Sequence, residues 1–306
     1  MTRTAPIIVF VYNRLDHASR TINALKNNHL ADQSDLFIYA DAAKDDRSLP
    51  GVTAVREYLG TITGFRSITI KLRETNLGVD ENTIAAVTEV VQEYGRVIVV
   101  EDDLVTSKWF LKFMNEALDY YEHNEQVIAI NGYTFPIEKK LKEAFFLKGA
   151  DCWGWATWKR GWDLFEDDGE KLLDQLTEKG LEKEFNFEHT YPYVAALEQQ
   201  ALGNTSHWDI RWYASAFLAG KLSLYPGQSL VYNIGHDGSG THCGESQTYE
   251  VVLSDAPINV IAEVKSDPEA YQAFSEFFRQ MASQNAPQRK NWLSRSFRKM
   301  KAIFRG

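Results

Sequence analysis

The chain has 306 residues, 44% hydrophobic and 25% charged, which is ordinary for a soluble globular protein and enough for one large α/β domain or two smaller ones. A net charge of −9 argues against broad nucleic-acid binding. No run approaches the ~20 apolar residues of a membrane span, and the two cysteines, Cys152 and Cys243, offer no disulfide framework and fit a reducing cytoplasm.

The first half alternates strand and helix patterns. Ala5 to Val11 is apolar but short and lacks the cleavage pattern of a signal peptide; Ile7–Val11 instead reads as a strand ending at Tyr12-Asn13-Arg14. Residues 16–27 read as a helix with Asp16 at its N-cap, Leu36–Tyr39 as a strand ending at Ala40-Asp41, and residues 51–59 as a helix. Ser67–Leu72 is a third strand, closed by Arg73. Residues 80–94 form an amphipathic helix with Gly95 just past its end. Val97–Val100 is an unbroken run of branched apolar residues, the pattern of a strand buried on both faces, and it runs into Glu101-Asp102-Asp103 and Leu104. A helix over about 107–122 and a strand at Val127–Ile130 follow. Repeated βα units of this kind predict an α/β fold with a mostly parallel sheet flanked by helices.

Beyond about residue 133 the character changes. Six of the eight tryptophans fall between Trp153 and Trp212, helical patterns fill roughly 156–220, and strand-like pieces occupy 221–233. Trp158 and Trp162, four apart, read as one face of a core helix. Gly235 to His242 is a polar, glycine-rich loop, and residues 267–282 are helical again. The expected organisation is a half at 1–135, a Trp-rich half at 136–286 continuous with it, and a basic tail at 287–306.

Ligands of open α/β sheets bind at the carboxyl ends of the strands. The predicted strand ends carry Asn13 and Arg14, Asp41, Arg73 with Asn76, and the acid triplet. Three adjacent carboxylates repel and are costly to desolvate; Mg²⁺ or Mn²⁺, which prefer hard oxygen ligands, would offset that cost and could grip a diphosphate. An aspartate such as Asp41 can hold a base or ribose edge, and a guanidinium such as Arg14 or Arg73 can face phosphate or a nucleobase carbonyl. Taken singly, each is equally a surface charge or solvated turn, and the triplet equally an acidic loop before a helix capped at Thr106 or Ser107. Together they point to a nucleotide-diphosphate site.

These motifs resemble those of GT-A type glycosyltransferases, most closely the N-acetylglucosaminyltransferase I-like enzymes. Val9–Arg14 resembles the family's first strand with its arginine near the nucleotide, Tyr39-Ala40-Asp41 the second strand with its base-binding aspartate, and Val97–Leu104 the Glu-Asp-Asp-Leu form of the Asp-x-Asp metal motif. Gly154-Trp155 and Trp208-Asp209 look like the family's Gly-Trp and Trp-Asp segments. The resemblance covers about residues 5–245 and is patchier beyond 135. It implies that Asp103 ligates Mn²⁺ or Mg²⁺, that Asp102 touches the donor sugar and Glu101 the ribose or a nearby support, and that Tyr12, Asn13, Arg14, Asp41, Arg73 and Asn76 line the nucleotide. Asp209 would be the general base of an inverting transfer from a UDP-sugar to a glycan or lipid-linked acceptor, in an aromatic setting set by Trp208 and Trp212, with Arg211 beside it. Trp153 and Trp155 would stack on the acceptor sugar, and His242 would reach the metal or diphosphate. The Trp-rich stretch and the His236–His242 loop depart from the family pattern, so its donor and acceptor do not transfer. A sugar nucleotidyltransferase is a second reading; against it, Tyr12-Asn13-Arg14-Leu15-Asp16 lacks the glycine-rich loop such enzymes carry after the first strand. A non-catalytic carbohydrate-binding protein on the same fold is a third, separated by Mn²⁺-dependent sugar-nucleotide hydrolysis.

The tail has its own pattern. Arg289, Lys290, Arg295, Arg298, Lys299, Lys301 and Arg305 occur with no acid, and Leu293, Phe297, Met300 and Phe304 fall on one helical face. This predicts an amphipathic helix on an anionic membrane, placing a cytoplasmic protein on the inner face beside its acceptor. Each basic residue near such a surface contributes about 1 kcal/mol. Deleting residues 287–306 is expected to release the protein from anionic vesicles in a sedimentation assay at low salt; equal binding by both forms would refute the membrane role.

Overall fold

The computed structural model describes residues 4–239 and 246–285 of the chain. The tail and His242 lie outside these, as does Cys243; Cys152 is a free thiol.

The first half contains β1 (Ile7–Val11), α1 (Leu15–Lys26), β2 (Asp35–Ala40), α2 (Leu49–Leu59), β3 (Ser67–Leu72), α3 (Gly78–Tyr94), β4 (Arg96–Glu101), β5 (Leu104–Thr106), α4 (Phe110–Tyr120) and β6 (Val127–Asn131). The second contains β7 (Ala144–Lys148), β8 (Trp155–Trp158), α5 (Lys159–Trp162), α6 (Gly169–Glu178), α7 (Glu182–Phe185), α8 (Tyr193–Ala201), α9 (Trp208–Leu218), β9 (Leu222–Pro226), β10 (Val231–Asn233) and α10 (Pro268–Asn285).

The fold is mixed α/β, with an eight-stranded sheet in the order β3-β2-β1-β4-β8-β6-β9-β7. Strands β3, β2, β1 and β4 are mutually parallel, as are β6 and β9; β8 and β7 run antiparallel to their neighbours. The expected mostly parallel sheet is therefore present, with β8 inserted head-down between β4 and β6. That reversal puts the start of β8 at the same edge as the ends of β4 and β6, with Trp155 opposite Val99 and Asn131.

Strand alternation divides the core. Ile7, Val9, Leu36, Ile38, Ile98 and Val100 pack under α1, α2 and α4 on one face; Ile8, Tyr39, Val97 and Val99 pack under α3, α5 and α9 on the other. Trp158 and Trp162 are both core, but not as one helical face. Trp158 closes strand β8 and packs with the first layer, whereas Trp162 belongs to α5 and packs with the second. A third cluster joins β7 and β9 to α6, α8, α9 and α10.

Asp16 does not cap α1; that position is Arg14, with no side-chain cap. Thr106 and Ser107 do not start α4 either: Thr106 closes β5, and the cap position is Trp109. The start of α3 is capped from a distance. Leu77, its own N-cap residue, supplies no side-chain bond. Asp41, at the end of β2, instead accepts hydrogen bonds from the Leu77 and Gly78 amides (3.0 and 2.9 Å), the Asn76 amide group (3.0 Å) and the Ala42 amide (2.8 Å). With four donors on one carboxylate, Asp41→Ala is expected to cost about 2–4 kcal/mol of folding stability, read from the urea midpoint. A loss below about 0.5 kcal/mol, typical of plain surface positions, would refute this role.

Candidate active site at the carboxyl edge of the sheet

The triplet sits where β4 ends. Because β1 and β4 are parallel neighbours with Phe10 opposite Glu101, the residues just past β1 lie beside those just past β4. Arg14 uses this adjacency: its Nη2 donates to Asp102 and, at 2.9 Å, to Asp103 Oδ2. Thr21 of α1 donates to the Asp102 carbonyl at 2.7 Å. On the other side β5 pairs antiparallel with β10, and the Ile234 amide donates to the Asp103 carbonyl at 2.8 Å. Gly235 packs so closely that a Cβ there would fall 2.2 Å from Asp103 Oδ2.

Electrostatics follow from this crowding. Burial pushes the Asp102 carboxyl up to about 6, against the opposing pull of Arg14. Burial, then the charges of Asp103, Asp209 and Asp102, raise Glu101 well above the ordinary carboxylate range. Burial disfavours charge on Arg14, but the two aspartates outweigh it and raise its pKa. Arg14 thus supplies part of the charge compensation first expected of a cation. One acceptor is left over: Asp103 Oδ1 is buried with no hydrogen-bond partner.

Asp209 lies in the first turn of α9, half-exposed, with its Oδ1 3.4 Å from His207 Nδ1. Its charge raises the pKa values of Glu101, Asp151 and Cys152, so these groups are electrostatic neighbours of Asp209. The hydrogen bond to Asp209 raises His207 above the usual histidine value despite partial burial. Trp208 and Trp212 do not surround the Asp209 carboxylate as expected; both turn into the core. Arg211 does not offset Asp209 either. Its guanidinium binds Asp80 at 2.7 Å and also Asp167.

Two further expectations are corrected. Trp155 is fully buried among Trp162, Trp208 and Trp212, with ring centroids 5.6–5.8 Å away, so its faces are closed to an acceptor. Asp41 and Asn76 are committed to the α3 cap, Asn76 also donating to the Ala42 carbonyl at 2.8 Å, so the Asp41 carboxylate has no lone pair to offer a nucleobase. Arg73 stacks over Tyr39 and donates to Asn82, leaving its Nη2 unpartnered. Tyr12 and Asn13 are half-buried at the end of β1, and the Tyr12 hydroxyl accepts from the Lys44 amide at 3.2 Å.

Trp153, unlike Trp155, is only partly buried. Gly154 adopts φ +68°, which breaks strand alternation and lets neighbouring tryptophans point apart. Trp153 packs edge-on against His236 and Tyr249, and His236 stacks on Tyr249 at 4.8 Å. Residue-by-residue reading missed His236, Tyr249, Asp151 and Asn131. The signals were present for two of them: His236 stands in the glycine-rich loop, and Asp151 immediately precedes Cys152-Trp153-Gly154. Asn131, at the end of β6, is fully buried; its Oδ1 accepts from the Asp151 amide at 3.3 Å and its Nδ2 has no partner.

No family model and no curated protein matches the chain. Among solved structures it is similar to mannosyltransferase PcManGT from Pyrobaculum calidifontis in complex with GDP-Man and Mn²⁺, at 15% identity and TM-score 0.34 over 43% of this chain and 36% of that one. It is similar to S. aureus TarS at 20% identity and TM-score 0.34 over 46% of this chain and 24% of that one. For TarS residues 1–349 the values are 16%, 0.45, 75% and 60%. The chain thus spans less than two thirds of each of these structures.

Burial raises the Asp151 carboxyl from 3.8 to about 6, against hydrogen bonds from the Cys152 and Trp153 amides and with help from the Asp209 charge. Between those values the folded protein holds the proton more tightly than the unfolded chain, so this group makes stability fall as pH rises and level off above about 6. In Asp151→Asn the fall in urea stability between about pH 4 and pH 7 should be shallower than in the wild type. An identical slope would show that Asp151 does not titrate there.

Proposed function

We propose that the chain is a metal-dependent, inverting glycosyltransferase of the GT-A type. Its donor is a nucleotide-diphosphate sugar, taken to be a UDP-sugar, and its acceptor is a hydroxyl on a glycan or lipid-linked sugar. The observation that carries this reading is the acid pair held by Arg14, with a buried, unpartnered Asp103 Oδ1, beside a Glu101 on which the Asp209 charge acts.

Among the described residues no group of three or more His, Cys, Asp and Glu is arranged to hold a metal ion. The donor set nevertheless fits a hard cation of the kind that takes only one or two carboxylates and completes its shell with phosphate oxygens and water. Asp103 would hold Mn²⁺ or Mg²⁺ through Oδ1, with Asp102 beside it. When bound, the ion supplies positive charge that offsets the charge on the departing nucleoside diphosphate.

The chain's own groups do the rest. Arg14 keeps Asp102 and Asp103 aligned and has an unpartnered Nη1 to face a phosphate oxygen. Tyr12, Asn13 and Arg73 line the nucleotide side in the first half, residues 1–135. Trp153, with His236 and Tyr249, offers the acceptor ring an aromatic wall in the second half, residues 136–286. Asp209 takes the proton of the acceptor hydroxyl, whose oxygen attacks the anomeric carbon from the face opposite the diphosphate. The carbon–oxygen bond to the diphosphate breaks with its electron pair, and no acid is required on the leaving side. The basic tail would hold this site at an anionic membrane surface.

Calorimetric titration of a sugar-nucleotide panel with and without Mn²⁺, together with product analysis, tests this reading. Asp103→Ala should lose Mn²⁺-dependent donor binding, whereas Asp209→Asn should bind donor normally and lose transfer by a factor of about 10² or more. An α-linked donor should give a β-linked product. Donor affinity unchanged in Asp103→Ala with or without Mn²⁺, or a retained anomeric configuration, would overturn the metal role or the mechanism respectively.

A further inference from the structure

The amides that open helix α9, which carries Asp209, are not capped from within: His207, at the N-cap, makes no capping side-chain hydrogen bond, its ring facing the Asp209 carboxylate instead. The Trp208 amide is bound instead by Asp80 Oδ1 at 3.0 Å, from the first turn of α3. The second oxygen of the same carboxylate accepts from Arg211 Nη2 at 2.7 Å. Arg211 is 5% exposed, and its other nitrogen binds the Asp167 carbonyl at 3.1 Å as well as the Asp167 carboxylate. Asp80 therefore grips α9 on both sides of Asp209, once through residue 208 and once through residue 211. At about 100° per residue, Arg211 and Asp209 project to opposite sides of the helix. The clamp on Arg211 thus fixes the rotation of the turn that carries Asp209, whose charge acts on Glu101 and Asp151 and also on Asp80.

The clamp continues toward the donor side. Asp80 stands two residues past Gly78, whose amide is bound by Asp41. Strand β2, the start of α3 and the start of α9 are consequently linked by two carboxylates, each capping a helix that belongs to another part of the chain.

We infer that Asp80 and Arg211 are positioning residues for Asp209, setting the direction of its carboxylate relative to the donor site. This rests on the proposed role of Asp209 as general base. Trp212, Ala214, Ala216 and Phe217 bury the remainder of α9, so removing Asp80 loosens the first turn and leaves the helix folded. A displaced first turn matters because catalytic groups tolerate only about 0.5 Å and 10–20° of misplacement.

The test uses the full chain, with Asp80→Ala and the isosteric Asp80→Asn each made alone and with Asp209→Asn. Amide hydrogen exchange should accelerate at Trp208–Arg211 in Asp80→Ala and less in Asp80→Asn, with the sheet unchanged. Unchanged protection there would overturn the inference whatever the activity. With UDP-sugars and Mn²⁺, kcat for nucleoside diphosphate release should fall about tenfold or more in Asp80→Ala while the donor KM stays within about twofold. In the Asp209→Asn background the same substitution should cost nothing further, because residues acting through one group are not additive. A full additional loss there would overturn positioning through Asp209. If Asp209→Asn alone keeps the wild-type kcat, the base assignment fails, and that result is distinct from a failure of the clamp.

Discussion

Three consecutive carboxylates at the end of a buried strand cannot stand without compensation, and the cation that compensates two of them comes from the neighbouring strand. Arg14 reaches Asp102 and Asp103 because β1 and β4 are parallel partners whose carboxyl ends are level. The surrounding contacts hold that arrangement. Thr21 fixes the backbone of the triplet from α1, and the β5–β10 pairing fixes it from the second half. In that half, burial lowers the pKa of His236 against the pull of the Asp103 charge.

Hydrogen-bond satisfaction separates framework acids from available ones. Asp41 and Asp80 are each bound by backbone or guanidinium donors on both oxygens, and each caps a helix from outside it. Asp103 has one oxygen matched and one buried without a partner.

The tryptophans sort by the same logic of position. Trp155, Trp162, Trp208 and Trp212 form one buried cluster that locks β8 and α9 against α3. The cluster gives Asp209 a rigid footing. Trp153, only two residues from Trp155, escapes full burial, Gly154 between them turning the chain in a conformation that other residues adopt only under strain.

The sequence by itself determined the strand–helix alternation of the first half, the buried strand ending in acids, and the grouping of Arg14 with the triplet. These depend on local periodicity and on the rule that parallel strands present their carboxyl ends at one edge, both of which are written in consecutive residues. Only the tertiary structure decided which polar groups were already matched. Asp41 was indistinguishable from a ligand-binding aspartate until the amides of residues 77 and 78 were seen on it. Trp155 was indistinguishable from a sugar platform until strand β8 was seen running antiparallel into the core. Asp80 carried no signal at all, because its partners lie 128 and 131 residues away and a pairing across that separation leaves no pattern in the intervening chain.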